Sequence, residues 1–392
     1  MFVVNGVVAD TRVVKEAATL SAAGHEVVVL GMREGGQPRT EAFEGFTIHR
    51  LWRDPFRREV SGTTSRPGPL RRALAPAAQA AALFAWSARA VREGLRLRAQ
   101  VYHAHDLVTL PAAWAAARGR GALVVYDAHE LFTEIGRLGR VARAALRVLE
   151  RLLIGRADRV VTVNDSIADE LQRRYGVARP VVVMNCPRLF GGPPSRERSA
   201  LRARVGLGPG VPIVLFQGMF MPHRGLENLV RSARSFHRGH LVFMGWGPLR
   251  PELEALARAE GLSSRVHFTE GVPLRDLLAF TAGADLGAIP YRNVGLNNYL
   301  TSPNKLFEYC AAGVPVVASR FPELVKVVEG FALGRTFDPE SPDDIAATVN
   351  ALLDDPVALA RAREGASRAA RRFNWENESR ALLGVYAGLD TA

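Results

Sequence analysis

Cysteine is close to absent from this 392-residue chain: Cys186 and Cys310 are the whole complement, far apart and outside any metal-ligand spacing. That argues against a disulfide framework or a zinc centre and makes a reducing cytoplasm the expected compartment. Lysine is nearly as scarce, at Lys15, Lys305 and Lys326 only. No run reaches the roughly 18 uninterrupted apolar residues of a membrane span. The opening MFVVNGVVADTR has no basic stretch followed by an apolar one, so no secretory leader is expected. There is also no short-period repeat and no Asp-x-Asp pair.

What is present is a chain with 48% hydrophobic residues, enough for ample cores, and a length that suggests two domains. The net charge of +12 is carried almost wholly by arginine. Between Arg50 and Arg98, 11 arginines face three acids, a local excess of eight positive charges. A single-sign field of that kind attracts phosphates or acidic lipid surfaces. Nucleic acid is not expected, because no aromatic residues interleave with the charge as stacking platforms.

Short β-rich runs alternate with helical patterns along the first half: strands at 2–5, 25–30, 101–103, 123–126, 159–163 and 180–184, with helices to residue 23, at 111–118 and at 137–154. Pro and Gly cluster in CPRLFGGPP, Cys186 to Pro194, which reads as a linker. The alternation restarts with a strand at 213–217 and runs to a strand at 315–319. Strands alternating with helices predict βαβ units and parallel sheets. The expected class is α/β, with two Rossmann-like doubly wound domains facing across a cleft. They span 1–186 and 187–374, and 375–392 forms a terminal helix packing back towards the first. Ligands of such sheets bind beyond the carboxyl ends of the strands.

The segment TSPNKLFEYCAAGVPVVAS, Thr301 to Ser319, concentrates the chemistry. Ser302 suits a helix N-cap and Pro303 the first helical position. Free backbone N–H groups near Asn304 and Lys305 would then form an anion site reinforced by the helix dipole. Lys305 adds a full charge, Glu308 one turn on can accept hydrogen bonds from a ribose, and Leu306 supplies apolar contact. The plainer alternative is a crossover helix in which Lys305 and Glu308 pair with each other.

This segment resembles the donor-site signature of the retaining glycosyltransferases of family 4 (glycosyl transferases group 1), which have the GT-B fold. ADTRVVKEAATLSAAGHEVVVL, VYHAHDLVTLP, VVYDAHELF and FMGWGPLRPELEALA resemble further parts of that family in the same order, over roughly residues 1–351. The resemblance implies a sugar moved from a UDP- or GDP-type donor, UDP favoured, to a hydroxyl of a glycan, lipid-linked or small-molecule acceptor. It implies retention of configuration, no cofactor beyond the nucleotide-sugar co-substrate, and Glu308 at the ribose with Lys305 near the diphosphate. The missing Asp-x-Asp pair fits a transfer without metal. Two departures stand out. Leu300 occupies the position of a second glutamate that contacts the donor sugar in many members. In QGMFMPHRGLENL, Met219 stands where an arginine is usual, which leaves Arg224 as the second candidate for the diphosphate.

Gly218, Gly245 and Gly247 are expected to let the donor approach the backbone. As a dinucleotide fingerprint GWG fails, since Arg250 stands where the third glycine belongs. On the acceptor side, His103, His105 and Asp106 should project from a strand end into the cleft, and Asp127, His129 and Glu130 follow the next strand similarly. Asp10 is expected to cap the first helix, with Arg12 facing the cleft. The residues assigned to chemistry are Arg224, Lys305 and His105, with no metal ligands. Arg140, Arg143, Arg147 and Arg151, like Arg89, Arg92 and Arg96, recur at helical spacing and suit an anionic bilayer. The plainer reading of either stripe alone is a solvated helix face in an arginine-biased chain; the expected place is the cytoplasm, with a peripheral position at the inner membrane face as the alternative the stripes leave open. The alternatives are a nucleotide-sugar epimerase of the same architecture, a donor-binding partner subunit without activity and, weakest, a nicotinamide-dependent dehydrogenase.

Overall fold

The computed structural model describes residues 1–33, 35–52, 69–136, 139–189 and 200–389. Much of the arginine-rich stretch and most of the expected linker lie outside them. The first half runs α1 (Thr11–Ala22), β1 (Val28–Arg33), β2 (Thr40–Phe43), β3 (Phe46–Trp52), α2 (Pro69–Leu97), β4 (Val101–His105), α3 (Leu110–Arg118), β5 (Leu123–Ala128), α4 (Arg140–Ile154), β6 (Arg159–Thr162), α5 (Asp165–Tyr175) and β7 (Val181–Val182). The second continues with α6 (Ala200–Val205), β8 (Ile213–Met219), α7 (Leu226–Ser232), β9 (His240–Trp246), α8 (Arg250–Ala259), β10 (Val266–Thr269), α9 (Leu274–Thr281) and β11 (Leu286–Ile289). It ends with α10 (Leu296–Tyr299), α11 (Asn304–Ala311), β12 (Val316–Ser319), α12 (Pro322–Val328), β13 (Gly334–Phe337), α13 (Pro342–Leu353), α14 (Pro356–Arg372) and α15 (Trp375–Ala387).

In the second half the strand order is β10-β9-β8-β11-β12-β13, all parallel. Numbered from β8 this is 3-2-1-4-5-6, with the reversal between β8 and β11, where a crevice opens at the carboxyl ends. β8 and β12 read IVLFQGM and VVAS, and their buried runs fit strands covered by helices on both faces. In the first half, β4-β5-β6-β7 are parallel, and single bridges from Phe2 to Leu30 and Ala104 join them to β1. The expected strand at 2–5 is thus reduced to one bridging residue. The hairpin of β2 and β3 adds an antiparallel edge that the sequence pattern did not suggest.

Side-chain alternation sorts the first-half sheet into two cores. Leu30, Tyr126 and Ala104 face one side, packed on α2 and α3, while Val29, Val125 and Val161 face the other. The second face is closed by α1 together with Trp375, Leu382 and Tyr386 of α15. The chain therefore crosses back from the second half to finish the core of the first. Trp375 is buried and its indole N–H donates to Thr19 Oγ1 at 2.9 Å. No described helix is long and apolar enough to span a membrane.

Trp375→Ala should empty this core and cost about 3–5 kcal/mol. A clear fall in the urea or thermal midpoint is expected, and an unchanged midpoint would show that α15 is not needed to close the first half.

Candidate functional site

A cavity of about 1100 Å³ opens at the strand reversal, lined from both halves. Its floor in the second half is the end of β8. There Gln217 Nε2 donates to Glu308 Oε2 at 2.6 Å, and Thr281 Oγ1 donates to Gln217 Oε1 at 2.7 Å. This chain fixes the Glu308 carboxylate by one oxygen, and burial pushes its pKa up.

Lys305, one turn earlier on α11, is buried. Its Nζ lies 4.0 Å from the centre of the Phe216 ring and donates to Tyr291 Oη at 3.2 Å. Arg224 stacks its guanidinium on the same tyrosine, 4.1 Å from the ring centre. Burial alone would raise the Tyr291 hydroxyl, but the two adjacent cations outweigh it and lower its pKa, while burial lowers that of Lys305. Neither cation has a salt bridge among the described residues, and Lys305 and Glu308 do not pair with each other. Both positive charges thus remain directed at the cavity.

The start of α11 differs from expectation. Pro303, not Ser302, holds the N-cap position, and no side chain caps the helix. The Ser302 hydroxyl instead accepts from Asn164 Nδ2 of the first half at 2.9 Å. The opening N–H groups at Asn304 and Lys305 are therefore left to whatever anion enters. Leu306 is fully buried in the second-half core and does not reach the cavity. Gly218 lines it, but Gly245 and Gly247 do not. At φ +155° and +151°, a Cβ on either would sit 1.9 Å from the Gly218 carbonyl oxygen or 2.4 Å from that of Phe220. These two glycines serve the close approach of β8 and β9 rather than a ligand.

Asp10 caps α1, accepting from the N–H groups of Arg12 and Val13, and lines the opposite wall. Arg12 borders the cavity, but its guanidinium is turned away from it. Nε and Nη2 donate to Asp127 at 2.7 Å each, and Nη1 to the Val183 carbonyl at 2.6 Å. His103 and His105 do not project into the cleft. β4 lies inside the sheet, and both rings are buried and stacked 4.4 Å apart. His103 Nδ1 meets Tyr386 Oη at 2.8 Å, from α15. Burial pushes His105 down to about 4, which leaves it neutral, and its Nδ1 lies 3.2 Å from Asp127 Oδ2.

His129 is the histidine that reaches the cavity. Its Nε2 donates to Asp127 Oδ2 at 3.0 Å and its Nδ1 lies 3.5 Å from Asp106 Oδ2. Burial opposes the charge, but these two carboxylates outweigh it and push the imidazole up to about 10. Burial likewise disfavours the Asp127 carboxylate, yet Arg12 and His129 hold it well below the usual range. Asp106, in a left-handed backbone conformation at φ +64°, also accepts from the His129 N–H at 3.3 Å. Its role is to hold His129.

Ligand atoms of Glu16, His103, His105 and Asp127 lie within 4.8 Å of one another, as a metal site requires. Arg12 already supplies the positive charge there, 3.0 Å from Glu16 and bidentate on Asp127. The nearly parallel imidazoles do not aim their in-plane lone pairs at one point. A cation would have to displace Arg12 to bind.

Sequence reasoning missed the segment that joins the two walls. Asn297, on α10, donates to Glu130 Oε2 at 2.8 Å and accepts from the Leu131 N–H at 2.9 Å. Asn164 Nδ2 donates to the Leu300 carbonyl at 2.8 Å. The Leu300 side chain packs on the first-half core with Leu296, and Leu300 is not part of the cavity lining. Thr301, Asn297 and Trp246 line the cavity in its place. The Asn-Asn-Tyr run before Leu300 was the only available signal.

Residues 9–187 match the family described as glycosyl transferase 4-like domain, and residues 211–355 match glycosyl transferases group 1. The chain is 31% identical to a D-inositol 3-phosphate glycosyltransferase of Xylanimonas cellulosilytica, over 73% of this chain and 71% of that protein. It is 28% identical to a glycogen synthase of Mycobacterium tuberculosis, over 94% and 88% of the two chains. Among solved structures, a sucrose-phosphate synthase from Thermosynechococcus elongatus superposes with a TM-score of 0.76 at 20% identity, covering 96% of this chain and 92% of that one. Anabaena Alr3699/HepE in complex with UDP and glucose superposes at 0.72 and 17% identity, covering 99% and 98%.

Because His129 is raised from 6.5 to about 10 on folding, the stability its protonation contributes is present at pH 6.5, where Asp106, pushed up by burial to about 6, is still largely ionised, and is lost as pH rises towards 10. His129→Gln should flatten that part of the pH dependence of the unfolding midpoint. A wild-type His129 imidazole titrating near 6.5 by NMR would refute the assignment.

Proposed function

This chain belongs to the glycosyl transferases group 1 family and has the GT-B fold of two Rossmann-like halves across a cleft, and from that membership we propose that it moves a sugar from a UDP-type donor to a hydroxyl acceptor. The single observation that carries the donor assignment is the convergence of Lys305, Arg224 and the uncapped start of α11 on one end of the cavity. The diphosphate lies there in this reading. Glu308 Oε2 is held by Gln217, and its Oε1 accepts from the ribose. The UDP-bound neighbour of the same fold supports UDP as the nucleotide.

As the anomeric carbon–oxygen bond breaks, negative charge develops on the departing diphosphate and positive charge on the sugar. The two cations and the helix dipole stabilise the former without reorganising, in a site of low dielectric. In this proposal that charge needs no metal, because the protein provides it. The acceptor hydroxyl adds to the same carbon, with retention of configuration as the family resemblance implies, and its proton passes to the leaving phosphate. The His129 imidazolium and Glu130 face the sugar and acceptor end. His105, sealed beneath His129, acts through it by fixing Asp127 rather than by touching substrate. The bridges from Asn297 and Asn164 hold the halves together over the cavity and limit hydrolysis by water. A cytoplasmic protein at the inner face of a membrane completes the proposal.

Lys305→Ala and Arg224→Ala should each lower turnover about 10²–10³-fold and reduce the UDP-induced thermal shift. Glu308→Ala should weaken UDP more than free diphosphate. Full turnover and an intact UDP shift in both cation variants would overturn the site. Turnover of a nucleotide sugar to its epimer with no acceptor present would replace transferase by epimerase.

A further inference from the structure

α4 carries an outward face that a helix exposed only to water has no reason to possess. Its inner side packs Leu153 and Ile154 into the first-half core, with Leu146 and Leu149 at the margin. At 100° per residue, Val141, Ala145, Val148 and Leu152 fall together on the opposite side. Val141 is 85% exposed, Val148 58% and Leu152 52%, and Ala144 and Ala145 are exposed between them. The result is an uninterrupted aliphatic stripe about three turns long on the surface.

The arginines along α4 do not form one open face. Arg143 and Arg147 turn towards Glu134, at 3.9 and 2.5 Å. Arg140 and Arg151 are exposed, have no carboxylate partner among the described residues, and run along one edge of the stripe with Arg147. The one acid of the helix, Glu150, is buried and accepts from Tyr126 and Tyr175. The outward surface is thus aliphatic along its crest and cationic along its border, with no negative charge from its own helix. Such a face matches an anionic bilayer, whose acyl boundary takes the valines and leucine and whose headgroups take the arginines.

We propose that α4 lies in the surface of an anionic membrane through Val141, Val148 and Leu152, with Arg140 and Arg151 on the lipid phosphates. The chain connects this face closely to the site. Glu130 lines the cavity, Glu134 anchors Arg143 and Arg147, and α4 begins at Arg140. Docking through α4 therefore brings the acceptor wall near the headgroups. The corollary, which rests on the transferase reading, is an acceptor hydroxyl carried on a membrane lipid.

The test is co-sedimentation of the full chain with phosphatidylcholine vesicles, with and without phosphatidylglycerol, at low and high salt. Binding is expected only with phosphatidylglycerol and should weaken as salt rises. Val141→Ser/Val148→Ser/Leu152→Ser and, separately, Arg140→Ser/Arg151→Ser should each reduce it by about tenfold or more. All these side chains are exposed, so the UDP-induced thermal shift should remain and report a folded donor site. Equal binding to both vesicles, or undiminished binding by both variants, overturns the proposal. So does a change in molar mass by light scattering in the serine variants, which would mean that a second copy covers the stripe. Lost vesicle binding by the wild type with the UDP shift intact rejects the docking alone. A wild type that binds vesicles without responding to UDP rejects the donor-site reading alone.

Discussion

The ion pair between Arg12 and Asp127 organises the first half of the molecule. Two charges removed from water are tolerable only when geometry is close and the remaining donors and acceptors are satisfied. Both nitrogens of the guanidinium fork meet the carboxylate at 2.7 Å, and the third reaches the Val183 carbonyl. One side chain thereby ties α1 to β5 and to the residue following β7. The carboxylate serves three partners at once, since His105 and His129 also lie on its Oδ2. Deleting either charge would strand the other in a buried place, so the pair constrains His105 and His129, which share its carboxylate.

The second half solves the complementary problem. At the cavity Lys305 and Arg224 have no carboxylate partner among the described residues, and aromatic faces support them instead. Phe216 and Tyr291 hold Lys305, and Tyr291 also carries Arg224. The quadrupole of each ring steadies a cation without neutralising it, so the charge remains available to a ligand. The two walls thus use buried charge in opposite ways: one balances it within the protein and the other directs it into the cavity. α10 and the residues after it join them, with Asn297 making both of its bridging bonds to the first half.

Local features were the legible ones. The parallel sheets follow from runs such as Ile213–Met219, and Lys305 and Glu308 lie on a helix because the apolar spacing and Pro303 require one. Contacts set by distant residues were not. That His103 and His105 stay buried while His129 reaches the cavity involves the stack of the two β4 rings and Tyr386, which arrives from α15 to meet His103. The N-cap lies at Pro303 rather than Ser302, whose hydroxyl instead accepts from Asn164 on the other half, a partner that local spacing does not reveal. Leu300 looked like a lost sugar contact, but its side chain docks on the first-half core. The arginine spacing on α4 was visible, yet which of its members Glu134 holds was a matter of tertiary structure.

The return of α15 to the first half also sets an order in time. Val125 and Val161 share a core with Trp375, Leu382 and Tyr386, and His103 finds its partner on the same helix. On the ribosome those partners emerge only after the whole second half has been made. The amino-terminal sheet must wait with one face incompletely covered and His103 without its hydroxyl. α15, which follows the second half along the chain, thus acts as the clasp for the sheet that precedes both, and that sheet cannot finish its core before the helix is made.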